Sequence, residues 1–323
     1  MTRTFPRAAM VPLMVLAGAL VALQSRVNGA LADEIGSGLR AGSLAAVISF
    51  GSGLAVMSVV VLATISGRAS MRRLAHARAV KRLRWHELLG GLGGAFFVAS
   101  QGIAVGTIGV ALFIVAFTAG QSLSSLVVDH IGFGPGGAQR ASTGRAVAAA
   151  FAIVAVLLKA LDQIETGATW LTLALALLAF ATGVAQAVQQ ALNGRVSKVV
   201  GSPATTWNNF VVGTTALLVL LAASFLVDGH VGALPATGWL YLGGVLGIGF
   251  IMVAAIAVHA YGVLVLGLCM IAGQVVTAEV LDVIDPAVEV GPLGIAGGAV
   301  ALVGVVVALM LTSPTPAADT PTA

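Results

Sequence analysis

The chain has 323 residues, of which 59% are hydrophobic and 9% are charged, and its formal net charge is +4. Soluble globular domains carry about 25% charged residues, so this composition excludes that class. Long apolar runs fill the sequence, and they lack the alternating polarity of a transmembrane β-strand. We therefore expect an all-α membrane protein. The single cysteine, Cys269, has no partner in the chain for a disulfide or a thiolate metal site.

Taken in chain order, the apolar runs predict ten transmembrane helices, since each is close to the roughly 20 residues that cross a bilayer. The predicted spans are 10–31, 42–66, 88–106, 108–128, 145–161, 169–193, 205–227, 238–260, 262–282 and 292–312. The first span also fits a secretory signal peptide that would be cleaved after Ala32. The tail, 313–323, is polar and rich in proline, so we expect it to be disordered.

Basic residues predict the orientation of these spans. The segment between the second and third spans contains the densest group, namely Arg68, Arg72, Arg73, Arg78, Lys81, Arg82 and Arg84. Short loops rich in Lys and Arg remain in the cytoplasm, which places both termini and the tail on the cytoplasmic side. Arg26, Arg40 and Lys159 would then lie toward the outside. Topology accounts for the basic pI of about 9.8, and no other feature indicates nucleic-acid binding.

Two motifs of the first half recur in the second half. Gly-x5-Gln-x3-Asn-Gly begins at Gly18 and again at Gly183, an offset of 165 residues. Gly-Gln, with an aspartate eight residues after the glutamine, begins at Gly120 and again at Gly273, an offset of 153. Further equivalent pairs are Gly90/Gly243, Gly91/Gly244, Gly94/Gly247 and Gly109/Gly262 at 153, and Phe50/Phe210 and Gly53/Gly213 at 160.

The repeat predicts two homologous halves of five spans each, 1–161 and 162–312. Because the first span corresponds to an internal span near 169–193, we interpret it as a retained helix rather than a signal peptide. An odd number of spans per half requires the second half to insert upside down. Inverted repeats of this kind recur in secondary transporters, whose sites lie between the halves and which work by alternating access.

The paired Gly-x5-Gln-x3-Asn motifs, the Phe-x2-Gly elements and the paired Gly-Gln motifs resemble the YdcZ-like branch of the drug/metabolite transporter superfamily, over roughly 10–312. The resemblance implies the fold of the EamA-like ten-span inverted-repeat transporters and export across the inner, cytoplasmic membrane. It implies no particular cargo and no set of binding residues. This chain departs from its own repeat at Arg26, where the second half has Ala191.

Six amide side chains inside predicted spans are the candidate substrate-binding residues: Gln24, Asn28, Gln121, Gln189, Asn193 and Gln274. Residues four apart lie on one helix face, and an amide both donates and accepts hydrogen bonds. Each pair could therefore bind a polar solute. The alternative is that these amides join helices by hydrogen bonds. We expect Gln24, Asn28 and Gln274 in the outer half of the membrane and the other three in the inner half.

Titratable groups inside the spans are scarce. Glu279 and His259 are the candidate coupling residues, because a proton-coupled exporter uses an ionisable group within the membrane. The alternatives are that Glu279 is solvated near the outer surface and that His259 is an interfacial residue. We expect Asp129 and Asp282 to mark helix ends at the water boundary.

The leading hypothesis is a secondary transporter, an exporter of a small organic metabolite or drug-like solute. A non-transporting sensor or assembly partner is an alternative, and a membrane-embedded lipid-modifying enzyme is less favoured because no nucleophile or metal constellation shares one depth. We expect no enzyme activity, no cofactor and no metal. The expected partners are the solute and the lipid bilayer, and the chain could be a monomer or a homodimer.

Overall fold

The computed structural model describes residues 7–133, 143–165, 169–285 and 290–311. Apolar segments of these ranges form α-helices, as the sequence predicts. The helices are α1 (Arg7–Ile35), α2 (Gly38–Ala63), α3 (Ile65–Ala79), α4 (Gly91–His130), α5 (Thr143–Glu165), α6 (Trp170–Val200), α7 (Ser202–Ser224), α8 (Gly243–Ile284) and α9 (Pro292–Leu311). Short 3-10 helices, Trp85–Gly90 and Gly238–Tyr241, precede α4 and α8. The predicted disordered tail, 313–323, lies outside the described residues.

Six helices of the described chain are long and apolar enough to cross a membrane. They are Val11–Ile35, Gly38–Ala63, Trp85–Val128, Trp170–Val200, Ser202–Ser224 and Gly267–Ile284. Two shorter apolar helices are Ala149–Lys159 and Pro292–Val307. The protein is therefore an all-α protein with several helices suited to crossing a membrane.

Helix α4 is folded back on itself. Phe97 and Phe117 would lie about 30 Å apart in one straight helix, yet their ring centroids are 4.7 Å apart. The helical conformation is interrupted at Gly109, where φ is 73° and ψ is 166°, a backbone conformation that only glycine adopts at little cost. α4 thus consists of two antiparallel arms, 91–108 and 110–130, and the predicted boundary between the third and fourth spans, at residue 107, lies two residues from the break.

Helix α8 is also folded back, as its contacts with α1 show. Gln24 packs against Gly247, and Gly18 packs against the backbone of Gln274. Gln24 and Gly18 are about 9 Å apart along α1, whereas residues 247 and 274 would be about 40 Å apart in one straight helix. The two arms of α8, described in full for 243–250 and 267–284, therefore both run beside α1.

The helices of the first half pack chiefly on helices of the second half. α1 lies along α8, and α6 lies along α4 in the same manner. α2 packs against α7, and α5 packs against α9. The core is made of small and medium apolar residues from these contacts, with Phe113 and Ile114 of α4 fully buried. Small side chains allow the close helix approach on which association in lipid depends.

In each half, the segment after the second helix contacts a turn of the other half. These segments are α3 in the first half and the strand His230–Val231 in the second. Gly36–Ser37, between α1 and α2, pairs as a short antiparallel strand with His230–Val231. The turn between α6 and α7, at Gly201, is contacted by α3. The basic segment between the second and third predicted spans is thus largely helical, and not the loop that the sequence predicts. Thr64 begins α3 as its N-cap, since its hydroxyl accepts a hydrogen bond from the Gly67 amide.

Candidate functional site

The amides of the first motif form a buried network between helices. Gln24 and Asn28 lie on one face of α1 and are 4% and 0% exposed. Gln24 donates to the carbonyl of Gly243 at 2.9 Å. Asn28 donates to the side chain of Gln101 at 2.6 Å, and Gln101 donates to Ser25 at 2.8 Å. These bonds connect α1 with both α4 and α8.

The amides of the second motif lie in equivalent positions on α6. Gln189 packs against Gly94, as Gln24 packs against Gly247. Asn193 packs against Gly90, as Asn28 packs against Gly243. In each case a polar side chain of one half fills the space beside a glycine of the other half. The two motifs are thus positioned by the same kind of helix crossing, which occurs twice between the two halves.

The two Gly-Gln motifs lie elsewhere. Gln274 is 4% exposed, and its amide oxygen accepts a hydrogen bond from Thr118 at 3.3 Å. Gln121 is half-buried, and its backbone packs against Gly183. Among the described residues, the six candidate amides do not converge on one point. They are distributed along the contacts that join the two halves.

Several buried side-chain oxygens have no hydrogen-bond partner among the described residues. They are the acceptors of Gln24, Asn28, Gln186 and Gln189, and the hydroxyls of Ser49 and Thr214. Ser49 and Asn28 approach each other, because both lie against Gly243. A buried acceptor without a donor is costly, so these atoms are the places where a solute or a water molecule would be stabilised.

A small, mainly apolar cavity lies where four helices meet. Its polar lining residues are Thr118 and Ser122 of α4. The apolar lining comes from α4, α5, α8 and α9, namely Val115, Ala152, Ile271, Val275, Ala301 and Val305. Thr118 also binds Gln274, so the cavity adjoins one of the candidate amides. Its size suits about one water molecule.

A group of charged residues lies near the C-terminal ends of α5 and α8. We call it the ionic cluster, and its members are Lys159, Asp162, Glu279 and Asp282. Lys159 and Glu279 form an ion pair at 2.6 Å, with side chains 5% and 19% exposed. Asp282, one turn beyond Glu279, accepts hydrogen bonds at 2.7 Å from the backbone amides of Val110 and Ala111. These amides begin the second arm of α4, where the helix dipole favours a negative charge.

The ionic cluster extends to the start of α9. Asp162, one turn beyond Lys159 on α5, accepts a hydrogen bond from the amide of Gly291 at 2.9 Å. Gly297 and Gly298 leave room for the side chains of Lys159 and Glu279. Nearby, Arg26 of α1 and Asp285 form an ion pair at 2.8 Å. α1, α4, α5, α8 and α9 are thus joined at one end by charged groups.

The ionic cluster corrects two interpretations of the sequence. Asp282 does not mark a solvated helix end, because it is 4% exposed and caps an arm of α4. Glu279 is not simply solvated beside it, because Lys159 pairs with it. The side chains of His259 and Asp129 lie outside the described residues, so their predicted roles stay predictions.

Sequence reasoning missed three buried polar residues. Gln101 stands inside a predicted span, but its position in the repeat corresponds to Ala254, so the search for paired motifs passed over it. The sequence analysis placed Lys159 toward the outside only by its charge, and it did not consider Asp162, which directly follows the predicted span 145–161. Their spacing of three, with one basic and one acidic residue on a single helix face, was the available signal. Among the described residues, no group of His, Cys, Asp and Glu could hold a metal ion.

Comparison with known proteins agrees with this architecture. The model of a family described as "Putative inner membrane exporter, YdcZ" matches two regions of the chain, 9–158 and 174–307. No curated protein matches the chain. Because the matched regions comprise most of the sequence, the chain belongs to the YdcZ family of inner-membrane exporters in the drug/metabolite transporter superfamily and is a multi-pass protein of the inner membrane.

Proposed function

We propose that the chain is a ten-span secondary transporter made of two inverted five-helix repeats, 1–161 and 162–312. The division of α4 and α8 into two arms raises the number of apolar helical segments to ten, with α3 excluded. The family model matches each half separately, which supports an internal duplication. The basic α3 segment supports cytoplasmic termini, because Lys and Arg favour the cytoplasmic side.

The observation that carries the proposal is the equivalence of the two motif contacts. Gln24 with Gly247 and Gln189 with Gly94 are related by the sequence offsets of the repeat. The same interface thus occurs twice, with the halves exchanged. Two interfaces of the same construction permit one to loosen while the other stays closed, and this is the requirement for alternating access.

The proposed cargo is a small polar organic solute, exported from the cytoplasm. Its binding groups would be the amides Gln24, Asn28, Gln121, Gln189, Asn193 and Gln274. The unpartnered oxygens of Gln24, Asn28 and Gln189 support this assignment, because a solute that carries hydrogen-bond donors would satisfy them. The side-chain NH2 groups of Gln24 and Asn28 donate hydrogen bonds to the protein. Their side-chain carbonyl oxygens remain to accept hydrogen bonds from the solute.

Glu279 is the proposed coupling residue, with His259 as a second candidate. Glu279 is an ionisable group in an apolar helix, and it forms an ion pair with Lys159. Protonation of Glu279 would release Lys159 and weaken the contact between α5 and α8. The proposed activity involves no chemical reaction, which agrees with the transport class of the family.

A thermal-shift screen of metabolites and drugs on the purified protein tests the proposal, followed by flux in proteoliposomes. Gln24→Ala and Gln189→Ala serve as site variants. A solute at a hundredfold excess over its Kd stabilises the folded protein by about 2.7 kcal/mol. We expect a hit that both variants lose while they remain folded. A hit that persists in both variants, or a bound solute that is never transported, would contradict the proposed site or the transport function respectively.

A further inference from the structure

Helix α3 has two faces of different character. Gly67, Ser70, Leu74 and Ala77 are buried, at intervals that place them on one side of the helix. The rest of its surface carries exposed basic residues: Arg68, Arg72, Arg73 and Arg78 on the helix, and Lys81, Arg82 and Arg84 directly after it. α3 begins two residues after the last residue of α2, so its basic face lies at the end of a membrane-spanning helix.

The buried face fixes α3 to the turn between α6 and α7. The Ser70 hydroxyl donates to the carbonyl of Val200 at 2.5 Å and accepts from the amide of Ala204 at 3.1 Å. The Arg73 side chain donates to the same Val200 carbonyl at 3.1 Å. These bonds hold the helix in one orientation, so the exposed arginines are held in place before any ligand binds.

The internal structure uses only some of the seven basic side chains. Arg73 binds Val200, and Arg68 donates to the carbonyls of Leu62 and Ala63 at the end of α2. The side chains of Arg72, Arg78, Lys81 and Arg82 make no hydrogen bond or ion pair with any described residue. Isolated positive charges this close together repel one another, so an anionic partner would lower their energy.

The equivalent segment of the other half shows that packing does not require these charges. It contacts the turn at Gly36 through the strand His230–Val231, just as α3 contacts the turn at Gly201. Residues 225–242 of that segment include no lysine or arginine. The basic side chains of α3 therefore serve something other than the contact with the turn. Membrane topology accounts for basic residues in this segment but not for the hydrogen bonds that fix the helix carrying them to the turn between α6 and α7.

We propose that α3 and the following residues to Arg84 bind the headgroups of anionic phospholipids in the adjacent leaflet. The phosphodiester of the lipid accepts hydrogen bonds from Arg72, Arg78 and Arg82. Ile65 and Trp85 flank the basic face and are 79% and 75% exposed. An apolar residue and a tryptophan at the level of the headgroups anchor a helix in the interface. The surface thus combines the charge and the apolar anchors that an anionic bilayer surface requires.

The test uses the full-length protein in neutral detergent, titrated with dioleoylphosphatidylglycerol or dioleoylphosphatidylcholine and followed by native mass spectrometry. We expect wild type to bind the anionic lipid at least about tenfold more tightly, and salt to weaken this binding. Arg72→Gln/Arg78→Gln/Arg82→Gln removes three charges. At about fivefold per residue, it should weaken phosphatidylglycerol binding about a hundredfold. The matched control, Arg72→Lys/Arg78→Lys/Arg82→Lys, keeps the charges and should retain most of the preference.

Three results would overturn the proposal. The first is equal binding of the two lipids by wild type at low salt. The second is an unchanged preference in a folded glutamine variant. The third is complete displacement of the lipid by inorganic phosphate at an equal concentration, which would assign the face to free phosphate. If the glutamine variant does not fold, the wild-type salt dependence and the lysine variant still decide the outcome.

Discussion

The rings of Phe50 and Phe210 contact each other, with centroids 5.1 Å apart and planes inclined at 59°. Each ring also packs against a glycine of the opposite helix: Phe50 lies against Gly213 and Phe210 against Gly53. At the crossing of α2 and α7, each helix therefore contributes one phenylalanine and one glycine, and each ring fills the space that the glycine of the other helix leaves open. In lipid, such close packing, rather than the hydrophobic effect, holds helices together.

Replacing either glycine of this crossing should destabilise the protein. A methyl group in Gly53→Ala or Gly213→Ala would collide with the facing ring, and overpacking of this kind costs about 1–3 kcal/mol. Unfolding titrations in a denaturing detergent measure the loss. Gly51→Ala on α2 is the matched control, since nothing lies within 4 Å of its new methyl group. Alanine is the better helix former, so Gly51→Ala should not be destabilising, and a cost equal to that for Gly53→Ala would contradict the packing argument.

The repeat in the sequence identifies the residues of this crossing as equivalent positions, although it does not predict that they contact each other. The offset of 160 residues pairs Phe50 with Phe210 and Gly53 with Gly213. The runs placed the helices, but they could not show that α1 packs on α8 and α6 on α4. Hydropathy is a property of one helix, whereas the choice of partner depends on where small residues of two helices coincide.

Removing the charge of Asp282 should loosen the start of the second arm of α4. Asp282→Asn keeps the size of the side chain but loses the charge that two backbone amides and a helix dipole stabilise. We expect the free energy of unfolding to fall by about 1–3 kcal/mol. The control is Asp228→Asn, an exposed residue outside the membrane helices, which should cost less than about 0.5 kcal/mol. Equal effects of the two substitutions would contradict the capping role.

The Lys159–Glu279 ion pair predicts a difference between single and double variants. Lys159→Met leaves the half-buried Glu279 without its cation and should lower the free energy of unfolding by up to about 3–5 kcal/mol. Lys159→Met/Glu279→Leu removes both charges and should be less destabilised than either single variant. The control is Arg78→Met, at an exposed position on α3. In detergent without added lipid, it should leave the free energy of unfolding nearly unchanged. Additive losses in the double variant would show that the two residues do not interact.

The ionic cluster was difficult to predict for a physical reason. Hydropathy treats a lysine or an aspartate near a span end as solvated, and Lys159, Asp162 and Asp282 all stand near span ends. These charged side chains are buried because distant parts of the chain pack against them. Backbone amides such as those of Val110 and Gly291 donate hydrogen bonds to the carboxylates. Neither the break at Gly109 nor the approach of α9 follows from the local sequence around the charges.

The hydrogen bond between Asn28 and Gln101 allows the two roles proposed for the motif amides to be separated. Gln101→Leu removes the acceptor of Asn28 and the donor to Ser25, so it should cost about 1–2 kcal/mol of stability. Asn28→Leu should cost a similar amount. The double variant should cost less than the sum, because the two residues share one bond. Gln190→Leu, at an exposed position on α6, is the control and should not be destabilised.

Transport measured on the same variants decides whether Asn28 also contacts the solute. If it does, Asn28→Leu should reduce flux at least about tenfold, while the equally destabilised Gln101→Leu keeps most of its flux. The unpartnered oxygen of Asn28 beside Ser49 is the physical reason for this expectation, since Gln101 has no such free acceptor. Equal flux in Asn28→Leu and Gln101→Leu at matched stability would leave Asn28 a structural link between α1 and α4 and would contradict its assignment to the solute site.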